Sequence, residues 1–283
     1  MRRLVPLALM ASFGALLIVV TQAPEAHSPC VAEAERTSRP GLRPRAGAMC
    51  DAGRTRRARR RARSRSRGLP FEGRLIRGVR LEESDDIRYL PEYAERGNHY
   101  GTWQLVQLLE RAAERVQQRL PGARLSVGEL SGPEGGHLDG HRSHQNGRDA
   151  DLSFYMTDAR GNPREPFAYA DFGGDGEGRG PNAMLRFDDA RNWELVGKLV
   201  ADGDARVQRI FVSRALKRRL LREGRRRGAP ASVLNRAERV MTQPSHHAHA
   251  NHFHVRIYCN PHEQGGCRDR APFHGWYPGT PPR

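Results

Sequence analysis

Over residues 102–120 the apolar positions Leu105, Leu108, Leu109, Ala112, Val116 and Leu120 recur at the i, i+3, i+4, i+7 spacing of one helix face. The stripe predicts an amphipathic helix packed on a sheet. Short runs of strand character follow at 124–130, 150–156, 207–212 and 252–259, and a second helical stretch after Asp188 carries Trp193, Val196, Leu199 and Val200. Helices and strands in this mixed order define an α+β class, with globular patterning over residues 69–276. The glycine-rich stretch 171–182 lacks the strand-to-helix frame of a phosphate loop and reads as a surface loop.

Upstream the pattern changes. Arg2 and Arg3 precede an uncharged apolar run over residues 4–20, the organisation of an export signal, with an uncleaved N-terminal anchor as the alternative for residues 1–30. Residues 31–68 hold almost no large apolar side chain and thirteen arginines against three acidic residues, so they are expected to stay disordered. This segment supplies most of the +16 net charge. Locating the charge there excludes a uniformly basic nucleic-acid-binding fold, and the composition excludes a multi-span membrane protein and a cysteine-dense scaffold. The segment is either a solvated linker or an electrostatic tether to an anionic cell-envelope polymer, and specific nucleic-acid binding is not expected. Residues 69–283 form the expected folded domain. Export permits oxidation, and Cys259 and Cys267, both inside that domain, are expected to form a local disulfide. Cys30 and Cys50 form the other pair, although three pairings formally exist.

Two histidine clusters about a hundred residues apart carry the chemistry. In the first, 140–155, strand alternation puts Asp149, Asp151, Ser153 and Tyr155 on one face and Ala150, Leu152 and Phe154 on the other. His141 and His144 precede it in a turn marked by Asn146-Gly147, which can fold His144 back toward Asp151. In the second cluster, His252, His254, Arg256 and Tyr258 share one strand face, and Phe253, Val255 and Ile257 the other. Imidazoles and carboxylates on buried strand faces need a partner, and a divalent metal is a direct one. Imidazole and carboxylate donors without cysteine suit zinc with a position open to water, the arrangement of a catalytic site. A histidine-rich surface tract is the bland alternative.

The stretch SGPEGGHLDGHRSHQNGRDADL, with HANHFHVRIYCNP downstream, resembles the penicillin-insensitive murein endopeptidases, relatives of the lysostaphin-type and D-Ala-D-Ala peptidases and of the hedgehog fold. The family's S-x-H-x(6)-D motif is matched by His144-x(6)-Asp151, although Ser143 adjoins His144 directly, and its closing H-x-H is matched by His252-Phe253-His254. The resemblance implies a small antiparallel central sheet carrying a zinc site flanked by helices, with zinc held by His144, Asp151 and His254. His141 matches another family histidine close to the metal, with a second ion as one option for it. His249 and His252 match histidines needed for activity, and the proton-handling role falls to that pair jointly. Asp149 either orients a ligand histidine or caps the preceding turn. Arg256 either pairs with a substrate carboxylate or makes a plain surface salt bridge. His246 and His247 are expected at the surface.

The activity so implied is that of an exported, periplasmic zinc peptidase that hydrolyses D-alanyl-meso-diaminopimelyl cross-links of peptidoglycan with metal-activated water. Two alternatives stand beside it: a zinc D,D-carboxypeptidase acting on stem peptides, and a non-catalytic wall-binding module with a vestigial metal site. The sequence carries no signal for oligomeric state.

Overall fold

The computed structural model describes residues 64–281 apart from His246 and residues 263–265. The expectations for residues 1–63, including the export segment, most of the basic run and the Cys30–Cys50 pair, lie outside the described residues. The described residues belong to the larger of two compact units, Arg56–Arg283.

Regular structure begins ahead of residue 69: β1 (Arg65–Leu69) and β2 (Glu72–Ile76) pair as an antiparallel hairpin. Ser64 and Ser66 are buried while Arg67 is exposed, so a strand alternation sits inside the tail of the basic run. Small side chains on the inward face hid that alternation from a search for large apolar residues. Next come β3 (Val79–Arg80), β4 (Ile87–Tyr89), the short helix α1 (Pro91–Ala94) and β5 (Tyr100–Gly101), which pairs with β3.

Helix α2 (Trp103–Arg119) is the expected amphipathic element. The Thr102 hydroxyl accepts from Leu105 N–H at its start, satisfying a backbone donor that the helix leaves open. Arg119 lies in its last turn, where a cation complements the macrodipole. Leu105, Leu108, Leu109, Ala112 and Val116 are fully buried; Leu120 is the half-buried C-cap.

Beyond β6 (Leu125–Val127) and β7 (Asp149–Ser153), the expected strand 150–156 breaks. The Asn192 side chain accepts from Tyr155 N–H at 3.0 Å and donates to its carbonyl at 2.7 Å, so Tyr155 leaves the ladder. The chain then enters a separate three-stranded sheet of β8 (Met156–Asp158), β9 (Pro163–Arg164) and β10 (Leu185–Phe187). Helix α3 (Asp189–Ala201) follows, capped by the Asp188 carboxylate on Arg191 N–H.

Next come β11 (Val207–Phe211), helices α4 (Arg214–Arg226) and α5 (Ala231–Val240), β12 (Met241–Thr242) and β13 (His252–Ile257). Helix α4 is so basic that only Leu216, Leu220 and Leu221 mark its apolar face, and it was not anticipated. Its Gly224 allows a close crossing with α3, because a Cβ there would lie 2.4 Å from the Trp193 ring.

The central sheet has the order β12-β11-β13-β7-β6-β4. Its middle pairs, β11–β13, β13–β7 and β7–β6, are antiparallel as expected, but both outer pairs, β12–β11 and β4–β6, are parallel. The sheet is therefore mixed. Each parallel pair is joined by a helical crossover, through α2 for β4 to β6 and through α4 and α5 for β11 to β12, as parallel pairing requires. Phe253, Val255 and Ile257 join Ala150, Leu152 and the inward faces of the helices in one apolar core. Their neighbours along β7 and β13 are thereby turned to the opposite face of the sheet.

The segment after β13 is pinned back onto the sheet. Cys259 and Cys267 form the expected disulfide. The fully buried Arg148 guanidinium donates to Asp269 at 2.5 Å, to the Arg268 carbonyl at 2.9 Å and to the Ile257 carbonyl at 3.2 Å. Among the described residues no helix is long and apolar enough to cross a membrane.

Candidate metal centre

The β7–β13 register sets His254 opposite Asp151, Arg256 opposite Asp149 and His252 opposite Ser153. Carboxylates of one strand thus meet imidazoles of the next without any long side-chain reach. His144 enters from the turn before β7 with φ +70°, a left-handed conformation that costs about 1–3 kcal/mol in a non-glycine residue and concentrates at functional sites. The turn is held from beneath: the Ser131 hydroxyl donates to the His144 carbonyl at 2.5 Å and accepts from Gly147 N–H at 3.0 Å. Gly147 itself has φ +74°, and a Cβ there would strike Leu75 at 2.6 Å.

These elements converge on Asp151, which is 1% exposed. His144 Nε2 and His141 Nδ1 lie 3.4 and 3.5 Å from its Oδ2, and His254 Nδ1 and His252 Nε2 lie 3.0 and 3.6 Å from its Oδ1. His144 Nε2 and His254 Nδ1 are 3.3 Å apart. His141, His144 and Asp151 form one donor set, whose ligating atoms all lie within 4.8 Å of one another. His141 therefore shares one centre with His144 and is not set apart at a separate position.

Three of the four converging rings are tied at the other nitrogen by groups behind them. His144 Nδ1 lies 2.6 Å from the Leu130 carbonyl, His254 Nε2 lies 2.8 Å from Asp149 Oδ1, and His141 Nε2 lies 2.9 Å from Glu129 Oε2. Such outer contacts select the tautomer and aim the free nitrogen, as they do around metal ligands. Asp149 thus contacts His254 through Oδ1, while its buried Oδ2 makes no hydrogen bond. Glu129 was not singled out from sequence. It is 1% exposed and also accepts from Asn98 at 2.9 Å; a carboxylate inside the apolar run 125–130 was the available signal.

Asp151 Oδ1 is buried with no hydrogen bond, although two ring nitrogens lie within 3.6 Å. Donors about 2.0–2.1 Å from a tetrahedral zinc-like ion stand about 3.3 Å apart, close to the separations found here. The donor set of imidazole nitrogens and a carboxylate oxygen suits the same ion. The residues present fit a divalent metal. Burial by itself would raise the Asp151 carboxyl, but the rings of His144, His252 and His254 hold it well below the usual carboxylate range. At Asp149 burial is likewise outweighed, here by the Arg256 guanidinium and by His254.

A family model described as penicillin-insensitive murein endopeptidase matches residues 71–276. The chain belongs to this family. It is 34% identical over 190 residues to the penicillin-insensitive murein endopeptidase of Haemophilus influenzae, an alignment covering 62% of this chain and 57% of that protein. The protein of the same description from Klebsiella pneumoniae is 30% identical over 182 residues, covering 63% and 60%. That from Salmonella typhi is 29% identical over 180 residues, covering 62% and 60%. The chain thus spans about 57–60% of the length of these curated relatives.

In this member of the murein endopeptidase family the centre opens into a cleft of about 600 Å³ whose wall includes Tyr93, Tyr169, Phe211, His247 and His249. His252 stacks on Tyr169 with ring centroids 4.6 Å apart, and its Nδ1 lies 2.7 Å from Asn251 Oδ1. Burial pushes His252 down to about 3 and His249 down to about 4, which keeps both rings neutral at pH 7. His249 has φ +47° and stands 5.1 Å from His252 and 6.1 Å from His254 between ring centroids. His247 is exposed, as expected, yet lines the cleft with its Nδ1 3.1 Å from that of His249. Arg256 donates from Nε to Asp149 at 2.6 Å in a largely buried ion pair, not a surface one. Tyr155 and Tyr258 fall outside β7 and β13, and their hydroxyls take no part in the centre.

Proposed function

We propose that this chain is a zinc-dependent murein endopeptidase that hydrolyses D-alanyl-meso-diaminopimelyl cross-links of peptidoglycan. The observation that carries the reading is the convergence of several imidazole nitrogens on the one buried carboxylate of Asp151 at the floor of an open cleft. His144, Asp151 and His254 would hold the ion, with His141 beside them. When bound, such an ion supplies Lewis acidity, lowering the pKa of water and polarising the amide carbonyl. Glu129, Asp149 and the Leu130 carbonyl keep the ligand rings aimed. His249 and His252 hold and move the proton that passes from water to the departing amine as the amide C–N bond breaks and a carboxyl group forms. Direct attack by water forms no acyl-enzyme, which is why a β-lactam would find no serine adduct to trap.

Export to the periplasm, through residues 1–30 as signal or anchor, belongs to the same proposal, as does the salt-sensitive attachment of residues 31–68 to anionic wall polymer. The test is a digest of purified cross-linked muropeptide dimers, separated by chromatography and identified by mass. Monomers formed in the presence of penicillin, and lost with chelator, are the expected result. Release of D-alanine from monomeric pentapeptide without dimer cleavage would favour the carboxypeptidase, and no product from either substrate would favour a wall-binding module.

A further inference from the structure

A groove of about 410 Å³ adjoins the cleft, sharing Phe71, Phe211, Pro244 and Arg256 with it and extending to Arg209 and Arg270. The register of the sheet explains why two arginines face it. A β-bulge between Val207 and Arg209 leaves Val207 opposite Ile257 on the apolar face and sets Arg209 opposite Arg256 on the face that carries His254. Like charges directly opposite across an antiparallel pair are unfavourable, so each needs an anion. Arg256 has one, Asp149, at 2.6 Å.

Arg209 has no carboxylate partner among the described residues. It donates to the Ala271 carbonyl at 2.9 Å, and its guanidinium lies 5.7 Å from the Phe211 ring centroid. Burial, and then the Arg256 charge, push the Arg209 guanidinium below its ordinary value, the sign of a cation placed among too few anions. Arg270 reaches the groove from the C-terminal segment, 5.0 Å over the Phe71 ring, also with no carboxylate partner among the described residues.

We infer that Arg209 and Arg270 form a subsite for a free carboxylate of the substrate peptide, next to the metal centre. Arg209 stands two strand residues from Phe211, the residue paired with His254, a separation of roughly 7 Å along β11. That distance suits a carboxylate on a residue neighbouring the scissile amide. A guanidinium fork matches a carboxylate in two parallel hydrogen bonds, whereas a neutral amide in the same place leaves the cation unpaired. The inference rests on the peptidase reading above and adds to it a preference for acidic peptides.

The full chain is offered a cross-linked stem-peptide dimer with its carboxylates free and the same dimer with them converted to primary amides. The wild type should favour the free form by on the order of 10- to 100-fold in kcat/KM. Arg209→Gln and Arg270→Gln should each erase most of that preference, and Arg209→Lys should restore part of it, with circular dichroism verifying the fold of each. A wild type that treats both dimers alike, or glutamine variants that still discriminate, would overturn the inference. Hydrolysis of neither dimer would count against the proposed function, and calorimetric binding of the two dimers to the same proteins then decides. Tighter binding of the free form by the wild type alone supports the subsite, and equal binding removes it.

Discussion

Asp149 holds His254 from behind: its Oδ1 lies 2.8 Å from Nε2 while the opposite ring nitrogen faces Asp151 at 3.0 Å. Asp149 sits opposite Arg256, two residues along β13 from His254, so the contact is diagonal across the ladder and fixed by strand register.

Asp149→Asn keeps the shape of that contact but loses its charge. A weakened outer contact of this kind typically lowers metal affinity 10- to 100-fold. Zinc competition against a chromophoric chelator should show that range for Asp149→Asn, and near-complete loss of metal for His144→Ala, Asp151→Ala or His254→Ala. Full retention by all three alanine variants, each folded, would refute the ligand assignment.

Proton handling and metal holding should separate by mutation. His252→Ala and His249→Ala are expected to retain zinc by elemental analysis yet lose roughly 10²–10⁴-fold in dimer hydrolysis, the range for a lost general acid–base group. Metal loss in parallel with activity would make these residues ligands instead.

The Arg148–Asp269 pair tests the clasp between the C-terminal segment and the sheet. Both side chains are 1% exposed, so Asp269→Asn strands a buried cation and should cost about 3–5 kcal/mol in urea unfolding. The exposed Arg179–Asp175 pair offers the contrast: Asp175→Asn should leave the urea midpoint nearly unchanged, because solvent screens that pair. Similar effects at both sites would mean that Asp269 contributes no more than a surface charge.

His99 should make stability fall in mild acid. Its ring is fully buried against Tyr89, with centroids 3.7 Å apart, and burial lowers its pKa to about 4. The neutral ring is favoured in the fold, while the unfolded chain takes up a proton near pH 6.5. Stability is then complete above about pH 6.5 and declines as pH falls toward 4, by on the order of 3 kcal/mol. His99→Phe should flatten that part of a pH series of denaturation midpoints, and an unchanged slope would assign the acid sensitivity to other groups.

Strand alternation and spacing were enough to place much of this site in advance. His252 and His254 share a face because the side-chain period of a strand is two, and His144 and Asp151 stood out because imidazole and carboxylate beside an apolar strand need a partner. The face of α2 was equally legible from its period of 3.6, and Cys259 with Cys267 from their position within one domain. Family membership, too, was carried by short local motifs.

Other features depend on contacts between distant segments. Glu129 becomes an anchor only because β6 leads into the loop under His141, and Asp149 becomes a support only through the β7–β13 register. The bulge in β11 that turns Arg209 toward the groove is a matter of pairing between strands, which no local pattern records. Helix α4 hides its apolar stripe among arginines, and the parallel outer pairs of the sheet follow from where its crossovers run. Local sequence determined which residues could share a face, because side-chain periodicity is set by the backbone of each element. The tertiary structure decided which faces meet, because packing and strand register are properties of the whole chain.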